Sequence, residues 1–432
     1  MKLSLVSLGC AKNLVDSEMI LSLMRKNDFI LTTEVEEADV IIVNTCGFID
    51  SSKQESINKI IELGQLNKIL IVCGCLVKRY KEQLEKELPE VDLFISIDEY
   101  PIMAELIQKV IKNREFKGCL DLSERVLSTE PYTAYLKISD GCNNCCTYCA
   151  IPLIRGPFKS VEMKELIKQA NIIKDQGVKE LVVISQDTTR YGSDLDKSNG
   201  DIVSLLKELL KIKEFAYIRL LYLYPDEISD ELIELIGKEE RLTPYFDIPI
   251  QHASSKVLNA MNRRGDKVFL LNLFNKIKKK VPNAILRTTL IVGFPGETEE
   301  DFNELKEFVK EVKFNHLGTF TYSREEGTKS YDYENQVPEE IKIQRYNEIM
   351  KIQKHVSLIH NRKQVNKIHK GIVLDYDYPS DTYTLRSFWN SPDNIDGEII
   401  FTSNKSLEEG QEVEVLITGY DHYNLYGELI EK

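Results

Sequence analysis

Positive charge is in short supply in this sequence: 56 Lys and Arg stand against 69 Asp and Glu, for a net charge of −13 and a pI near 5.2. A chain this acidic is no generic polyanion binder, so any contact with nucleic acid has to be local. Long apolar runs are lacking too. Stretches such as Ile69–Val77 reach nine residues, too short to cross a bilayer. Cysteine is missing from the last 283 residues, its nine copies standing at 10, 46, 73, 75, 119, 142, 145, 146 and 149. An odd, front-loaded set with no export signal does not make a disulfide framework. Leu8-Gly9-Cys10 superficially resembles a lipoprotein cleavage point. The apolar core of ~7–15 residues that a leader needs is absent, and Ser7 is a poor residue for such a site. The expectation is a cytoplasmic protein, not held in a membrane, whose reduced thiols are available to metal.

What is present is enough for a large core. The 432 residues are 42% apolar and 29% charged, and that length suits roughly three domains at about 150 residues each. In residues 1–112 the β-branched runs Lys2–Leu8, Asp39–Asn44, Lys68–Val72 and Asp92–Ser96 alternate with helical stretches Leu14–Lys26, Lys53–Leu66 and Lys78–Leu88. That order predicts an open parallel sheet covered on both faces, of flavodoxin or Rossmann type, with ligands at the carboxyl ends of its strands. Residues 113–133 read as a polar linker. In residues 134–362, six candidate strands (Ala134–Ile138, Glu180–Ser185, Tyr217–Leu223, Tyr245–Ile250, Ile285–Val292 and His316–Tyr322) alternate with helical segments. This predicts a partial or complete parallel β/α barrel with chemistry at its C-terminal mouth. Residues 363–432 carry five short strands, as a small antiparallel barrel of the oligonucleotide-binding sort would. From Lys363 on, 6 Lys or Arg meet 13 Asp or Glu, a net of −7 that suits RNA phosphates poorly.

The sharpest local signal is Cys142-x3-Cys146-x2-Cys149, directly after the first barrel strand. Three thiolates in a tight loop suit a cubane bound through three irons, leaving the fourth open to chelate S-adenosylmethionine. A structural zinc site would want four Cys or His. All six His lie at 252 or later, although Cys145 offers a fourth thiol. A second set is Gly9-Cys10, Cys46-Gly47 and Cys73-Gly74-Cys75, each at the end of a predicted strand and each beside glycine, as close approach to a bulky group requires. Whether Cys73 or Cys75 joins that set is not settled by spacing. Cys119 reads as an ordinary free thiol. Gly293, Pro295 and Gly296 form a turn after a strand, and Thr298–Asp301 reads as a capping box. His252 reads equally well as a structural or a catalytic histidine. The run Lys276, Lys278, Lys279 and Lys280 closes a predicted helix, where cations offset the dipole.

These residues, with the long segments Ser7–Glu18, Arg155–Ser160, Ile184–Gly192, Tyr222–Pro225, Ile248–Ser254, Val292–Thr298, Ser391–Gly397 and Asp421–Gly427, resemble the radical S-adenosylmethionine methylthiotransferases over the whole chain. Within that family the resemblance is to the branch that modifies an aspartate β-carbon of protein twelve of the small ribosomal subunit. It implies an N-terminal methylthiotransferase domain, a radical barrel and a C-terminal TRAM domain. It also implies two 4Fe-4S clusters: an auxiliary one on Cys10, Cys46 and Cys75, and a radical-generating one on Cys142, Cys146 and Cys149. The departure is Cys145, where the family more often has a basic residue. It leaves Cys142, Cys145 and Cys149 as an alternative set. Two S-adenosylmethionine molecules are implied per product, one giving methyl to sulfur and one cleaved to the radical that removes a substrate hydrogen. Tyr148, Gln186, Gln251, Gly293 and Gly296 are the expected cosubstrate contacts. A basic ribosomal protein, within the ribosome or free of it, an external electron donor and a sulfur donor are the expected partners. The rival branch modifies a tRNA adenosine, which the acidic last domain disfavours as a substrate. A non-catalytic iron–sulfur carrier is the alternative of another class.

Overall fold

The computed structural model describes residues 1–112, 115–129, 132–196, 200–392 and 395–431. Residues 113, 114, 130 and 131 of the expected linker, and 393 and 394 of the Ser391–Gly397 segment, lie outside the described residues. The chain opens with β1 (Lys2–Ser7), α1 (Ala11–Lys26), β2 (Ile30–Leu31), β3 (Val40–Thr45), α2 (Asp50–Gly64), β4 (Ile69–Gly74), α3 (Cys75–Glu87), β5 (Leu93–Ser96) and α4 (Met103–Val110). The sheet order is β2-β1-β3-β4-β5, parallel at every pairing. Every residue of β3 is buried, as a strand covered on both faces must be. Two apolar clusters sandwich the sheet: Leu3, Ile42, Ile71 and Cys73 face one side, and Ile41, Val43, Leu70 and Val72 the other.

The second unit follows as β6 (Thr133–Lys137), β7 (Ser139–Asp140), α5 (Ile151–Arg155), β8 (Lys159–Ser160), α6 (Met163–Asp175), β9 (Glu180–Ile184), α7 (Ile202–Leu209), β10 (Tyr217–Leu220), α8 (Asp230–Lys238), β11 (Tyr245–Asp247), α9 (Ser255–Ala260), α10 (Lys267–Lys280), β12 (Ile285–Val292), α11 (Glu299–Val312), β13 (His316–Thr321) and α12 (Glu339–Arg362). The barrel is partial. Two parallel three-stranded sheets, β10-β9-β6 and β11-β12-β13, are joined through an Ile218–Leu242 bridge. Alternate strand residues split cleanly: Leu136, Leu181, Val183, Phe246 and Leu286 pack outward under the helices, and Tyr135, Val182, Ile184, Tyr245 and Ile285 face in. Two expected strands are cut short. β10 stops at Leu220, just before Tyr222 with its positive φ of 63°; β11 stops at Asp247, ahead of Pro249, which has no N–H to pair, and the chain meets β12 again at Gln251, φ 71°.

The last unit is β14 (Ile368–Asp377), β15 (Thr382–Ser387), β16 (Ile399–Thr402), β17 (Glu412–Tyr420) and β18 (Leu425–Leu429), closed in the order β14-β15-β16-β18-β17. It is not antiparallel throughout, since β16 and β18 pair in parallel. This small barrel packs against the strand-start end of the partial one. Arg219 Nη2 donates to Ser387 O at 2.7 Å, His316 Nε2 lies 2.9 Å from Trp389 O, and Tyr245 and Arg287 both reach Asp396. Trp389, 3% exposed, belongs to that shared core.

Candidate functional site

Cys10, Cys46 and Cys75 follow β1, β3 and β4, three adjacent strands of the N-terminal sheet. Cys10 caps α1, and Cys75 opens α3 after Gly74 breaks the strand at φ +102°. Cys73 stays in β4, wholly buried in the sheet core, and Cys75 turns to the rim. A Cβ on Gly9 would come 2.8 Å from Cys46 Cβ and 3.1 Å from its Sγ, so only glycine permits this approach of the first loop to the second. Asn13 ties the loops together. Its Nδ2 donates to Leu8 O and Thr45 O at 3.0 and 2.9 Å, and its Oδ1 lies 3.3 Å from Cys75 Sγ. Cys119 is exposed and apart from both sets.

The other thiols sit on the loop between β7 and α5. Thr147 fastens that loop to α9, its N–H donating to Met261 O at 3.0 Å and its hydroxyl to Ala260 O at 2.8 Å. Cys149 Sγ accepts the Ile151 amide at 3.4 Å, while Cys146 Sγ lies 3.8 Å from the Tyr224 hydroxyl and 4.0 Å from Arg263 Nη1. Arg263 stacks its guanidinium 4.1 Å over the Tyr224 ring. Burial, with Cys146 beside them, raises both the Cys142 and the Cys149 thiols. Cys145 is exposed, in a left-handed conformation with φ 52°.

The two thiol sets adjoin. Cys75 packs in one apolar cluster with Ala150 and Ile154 of the loop and helix that follow Cys149. Beside them lies a buried ion cluster that nothing in the local sequence announces. Asp16 accepts Lys137 Nζ and Arg155 Nη1, each at 2.5 Å, and Asp140 lies 3.1 and 3.4 Å from the same two cations. Arg155 Nη2 lies 3.4 Å from Cys75 Sγ and donates to Asn13 Oδ1. One guanidinium thus joins the rim of Cys75 to the strand that leads into the loop of Cys142, Cys146 and Cys149.

The donor set suits iron–sulfur clusters. Each site offers three thiols with an N–H or guanidinium donor aimed at sulfur, the outer-shell contact that offsets thiolate charge. Burial pushes the Cys75 thiol up to about 12 and raises Cys149 and Cys46 as well, the neighbouring thiols adding to each shift. These thiols are protonated at neutral pH, so cluster loading must expel protons. Among the described residues no three His, Cys, Asp or Glu side chains could share one metal ion. A cubane takes each thiolate on a separate iron and needs them farther apart than that.

Tyr148 packs with Val257, Met261, Phe294 and Tyr322, which puts it against the Gly293–Gly296 turn. Both glycines have positive φ, 74° and 80°. Their amides are committed internally, Gly293 N–H to Glu297 and Gly296 N–H to Asn335 O. Gln186 follows β9 and donates to Asp140 Oδ1 at 3.0 Å; its buried Oε1 has no partner among the described residues. Gln251 follows β11 and is bridged to Leu290. The two glutamines do not end successive strands, because β10 stands between them.

Glu297, not singled out from the sequence, is wholly buried beside His252. It accepts the Gly293 and Phe294 amides at 2.5 and 3.0 Å and faces Arg345 Nη1 at 3.0 Å. Burial outweighs these partners and lifts its carboxyl to about 7, while burial drives His252 down to about 3. His252 is thus a neutral core residue whose Nδ1 accepts the Ser254 amide at 3.0 Å. The folded chain keeps a proton on Glu297 that the unfolded chain gives up near 4.5. The stability this adds is full below that pH and is lost as pH rises through about 7. Denaturant titrations on either side of this window should show the decline, and Glu297→Gln should flatten it.

A family model described as the Radical SAM superfamily matches residues 136–309, a TRAM domain model matches 372–430, and the uncharacterized protein family UPF0004 matches 2–96. The chain is 44% identical over 449 residues to the ribosomal protein uS12 methylthiotransferase RimO of Acetivibrio thermocellus, covering 100% of this chain and 99% of that one. The protein of the same name from Aquifex aeolicus is 45% identical, with 99% and 97% covered. Among solved structures, the radical S-adenosylmethionine methyltransferase TsrM of Kitasatospora setae, with cobalamin and a [4Fe-4S] cluster bound, has a TM-score of 0.55 at 12% identity over 74% of each chain. The cobalamin-dependent S-adenosylmethionine radical enzyme OxsB has 0.51 at 15%, over 82% of this chain and 56% of that one. At those identities the likeness is one of fold. Among the described residues no helix is long and apolar enough to cross a membrane. Matched end to end at this identity, and with both thiol sets at the rims described, the chain belongs to the ribosomal protein uS12 methylthiotransferase RimO family.

Proposed function

We propose that this chain methylthiolates an aspartate β-carbon of ribosomal protein uS12, with S-adenosylmethionine as both methyl donor and radical source. The packing of Cys75 on Ala150 carries the reading, because it sets a sulfur-rich rim directly against the loop of Cys142, Cys146 and Cys149. In this reading Cys142, Cys146 and Cys149 would hold one 4Fe-4S cluster and Cys10, Cys46 and Cys75 a second; when bound, the first would pass on the electron that cleaves S-adenosylmethionine and the second would carry the sulfur that receives the methyl group. Thr147 and α9 hold the loop in place. Arg263, the Ile151 amide and Arg155 offset thiolate charge. Tyr148 and Phe294 wall the cosubstrate side against water, Gln186 and Gln251 orient the nucleoside, and the turn of Gly293 and Gly296 packs beside it with its amides committed internally. Electrons and replacement sulfur come from external donors, and the setting is cytoplasmic. The working units are residues 1–112, 134–362 and 363–432, with 113–133 as linker.

The small barrel favours a basic protein over tRNA as substrate. Asp396 is spent internally against Arg287, but Asp375, Asp377, Asp381, Glu408, Glu409 and Glu412 are exposed, a surface that complements a basic protein. Anaerobic reconstitution with iron and sulfide, then S-adenosylmethionine, reductant and uS12, should release 5′-deoxyadenosine and add a methylthio mass to uS12. No cleavage product from a fully loaded chain would favour an iron–sulfur carrier. In a deletion strain, loss of methylthio mass from tRNA with uS12 unchanged would favour the tRNA branch.

A further inference from the structure

From Ile349 to Leu374 the chain has no Asp or Glu and six Lys or Arg, against the acidic grain of the whole sequence. The second half of α12 falls in this stretch. Beside the C-terminal end of α11 it forms a groove of about 540 Å³, lined by Ile352 and Val356 and rimmed by Lys310, Lys313, Lys351 and Lys363. Lysines at helix ends ordinarily offset the dipole; at the end of α11 two carbonyls already have other partners. Lys278 Nζ donates to Val312 O at 2.5 Å, and His360 Nε2 lies 2.9 Å from Lys313 O. Lys310 is paired with Glu307 on its own helix. Lys313, Lys351 and Lys363 are exposed, and none has an ion-pair partner among the described residues. Lys278 registers the excess: burial, then the charges of Lys313 and Lys363, lower its ammonium below the usual lysine value.

We propose that this groove docks an RNA phosphate backbone, that of the ribosomal RNA on which the substrate protein sits in an assembled small subunit. The proposal rests on uS12 being the substrate. From Lys351 to Lys363 the helix rises about 18 Å at ~1.5 Å per residue, a length that follows successive phosphates instead of holding one ion. Phosphate contacts of this kind fix position and carry no sequence information. α12 runs straight into the small barrel, with Asn361 Nδ2 donating to Asp421 O at 3.1 Å and the Asn366 amide to Ile417 O at 2.8 Å. The cationic groove and the anionic barrel are therefore adjoining parts of one surface, one fitted to RNA and the other to the basic protein beside it.

The full-length chain and its Lys313→Glu/Lys351→Glu/Lys363→Glu variant are titrated at several salt concentrations with a fluorescent single-stranded oligoribonucleotide. Assembled small subunits, free uS12 and polyglutamate are titrated in parallel. Triple reversal at the exposed Lys86, Lys109 and Lys164 controls for net charge. The groove variant should lose about 2 to 3 from the slope of log affinity against log salt. It should bind subunits at least tenfold more weakly, and free uS12 and its thermal melt should be unchanged. RNA affinity and slope equal to those of the control variant, or tighter binding of polyglutamate than of RNA, would overturn the proposal. If neither chain binds or modifies uS12, whether free or in assembled subunits, the substrate reading fails, and the oligoribonucleotide titration still decides the groove.

Discussion

Replacing Cys146 with alanine is expected to abolish 5′-deoxyadenosine release from the reconstituted enzyme, whereas Cys145→Ala leaves the rate within about twofold. The difference is one of placement, because both residues carry a thiol on the same loop. Cys146 lies between the Tyr224 hydroxyl and Arg263, on the loop that also carries Cys142 and Cys149. Cys145 is exposed, in a left-handed backbone conformation. A three-thiolate cluster has no spare ligand. Iron in the Cys146→Ala chain should therefore fall from about eight to about four atoms per chain, with the auxiliary cluster retained. Iron content, the electron paramagnetic resonance signal and cosubstrate cleavage read this together. Equal losses from both substitutions would make Cys145 a participant, and loss from Cys145→Ala alone would favour the set Cys142, Cys145 and Cys149.

Asp16→Ala should cost about 3–5 kcal/mol of stability, because it strands two buried cations. Lys137 and Arg155 have side chains only 6% and 3% exposed, and the one carboxylate left to them is Asp140, at 3.1 and 3.4 Å, with the neutral Asn13 for Arg155. Asp16→Asn keeps the shape and one acceptor and should cost less. The loss should also reach the thiols, since Arg155 bridges Asp16 to Asn13 and Cys75. Auxiliary-cluster loading, followed by iron and visible absorption, should fall in Asp16→Ala even where the chain remains folded. A cost below about 1 kcal/mol would mean that water or a backbone shift replaces the carboxylate.

The two thiol sets were legible in the sequence because each signal is local: a cysteine, a neighbouring glycine and the end of an apolar run. The ion cluster was not, because Asp16 and Arg155 are 139 residues apart and neither stands out among 69 acidic and 56 basic residues. Strand ends failed for a related reason. Leu221–Leu223 and Ile248–Ile250 are as apolar as the strands they extend. The left-handed turns at Tyr222 and Gln251 are imposed by tertiary contacts, such as the bond from the Tyr222 amide to Asp247. Short elements such as β2, α5 and α9 fall below the length at which periodicity shows. Charge needed the fold to be read properly: Asp396 counts towards the acidity of the last unit yet never meets a partner protein.

The small barrel, docked through Ser387, Trp389 and Asp396 on Arg219, His316 and Arg287, has a consequence for traffic. It stoppers the lumen at the end remote from the thiols, so cosubstrate and products pass at the thiol end or along the open seam between β6 and β13, and nothing has to thread past the small barrel.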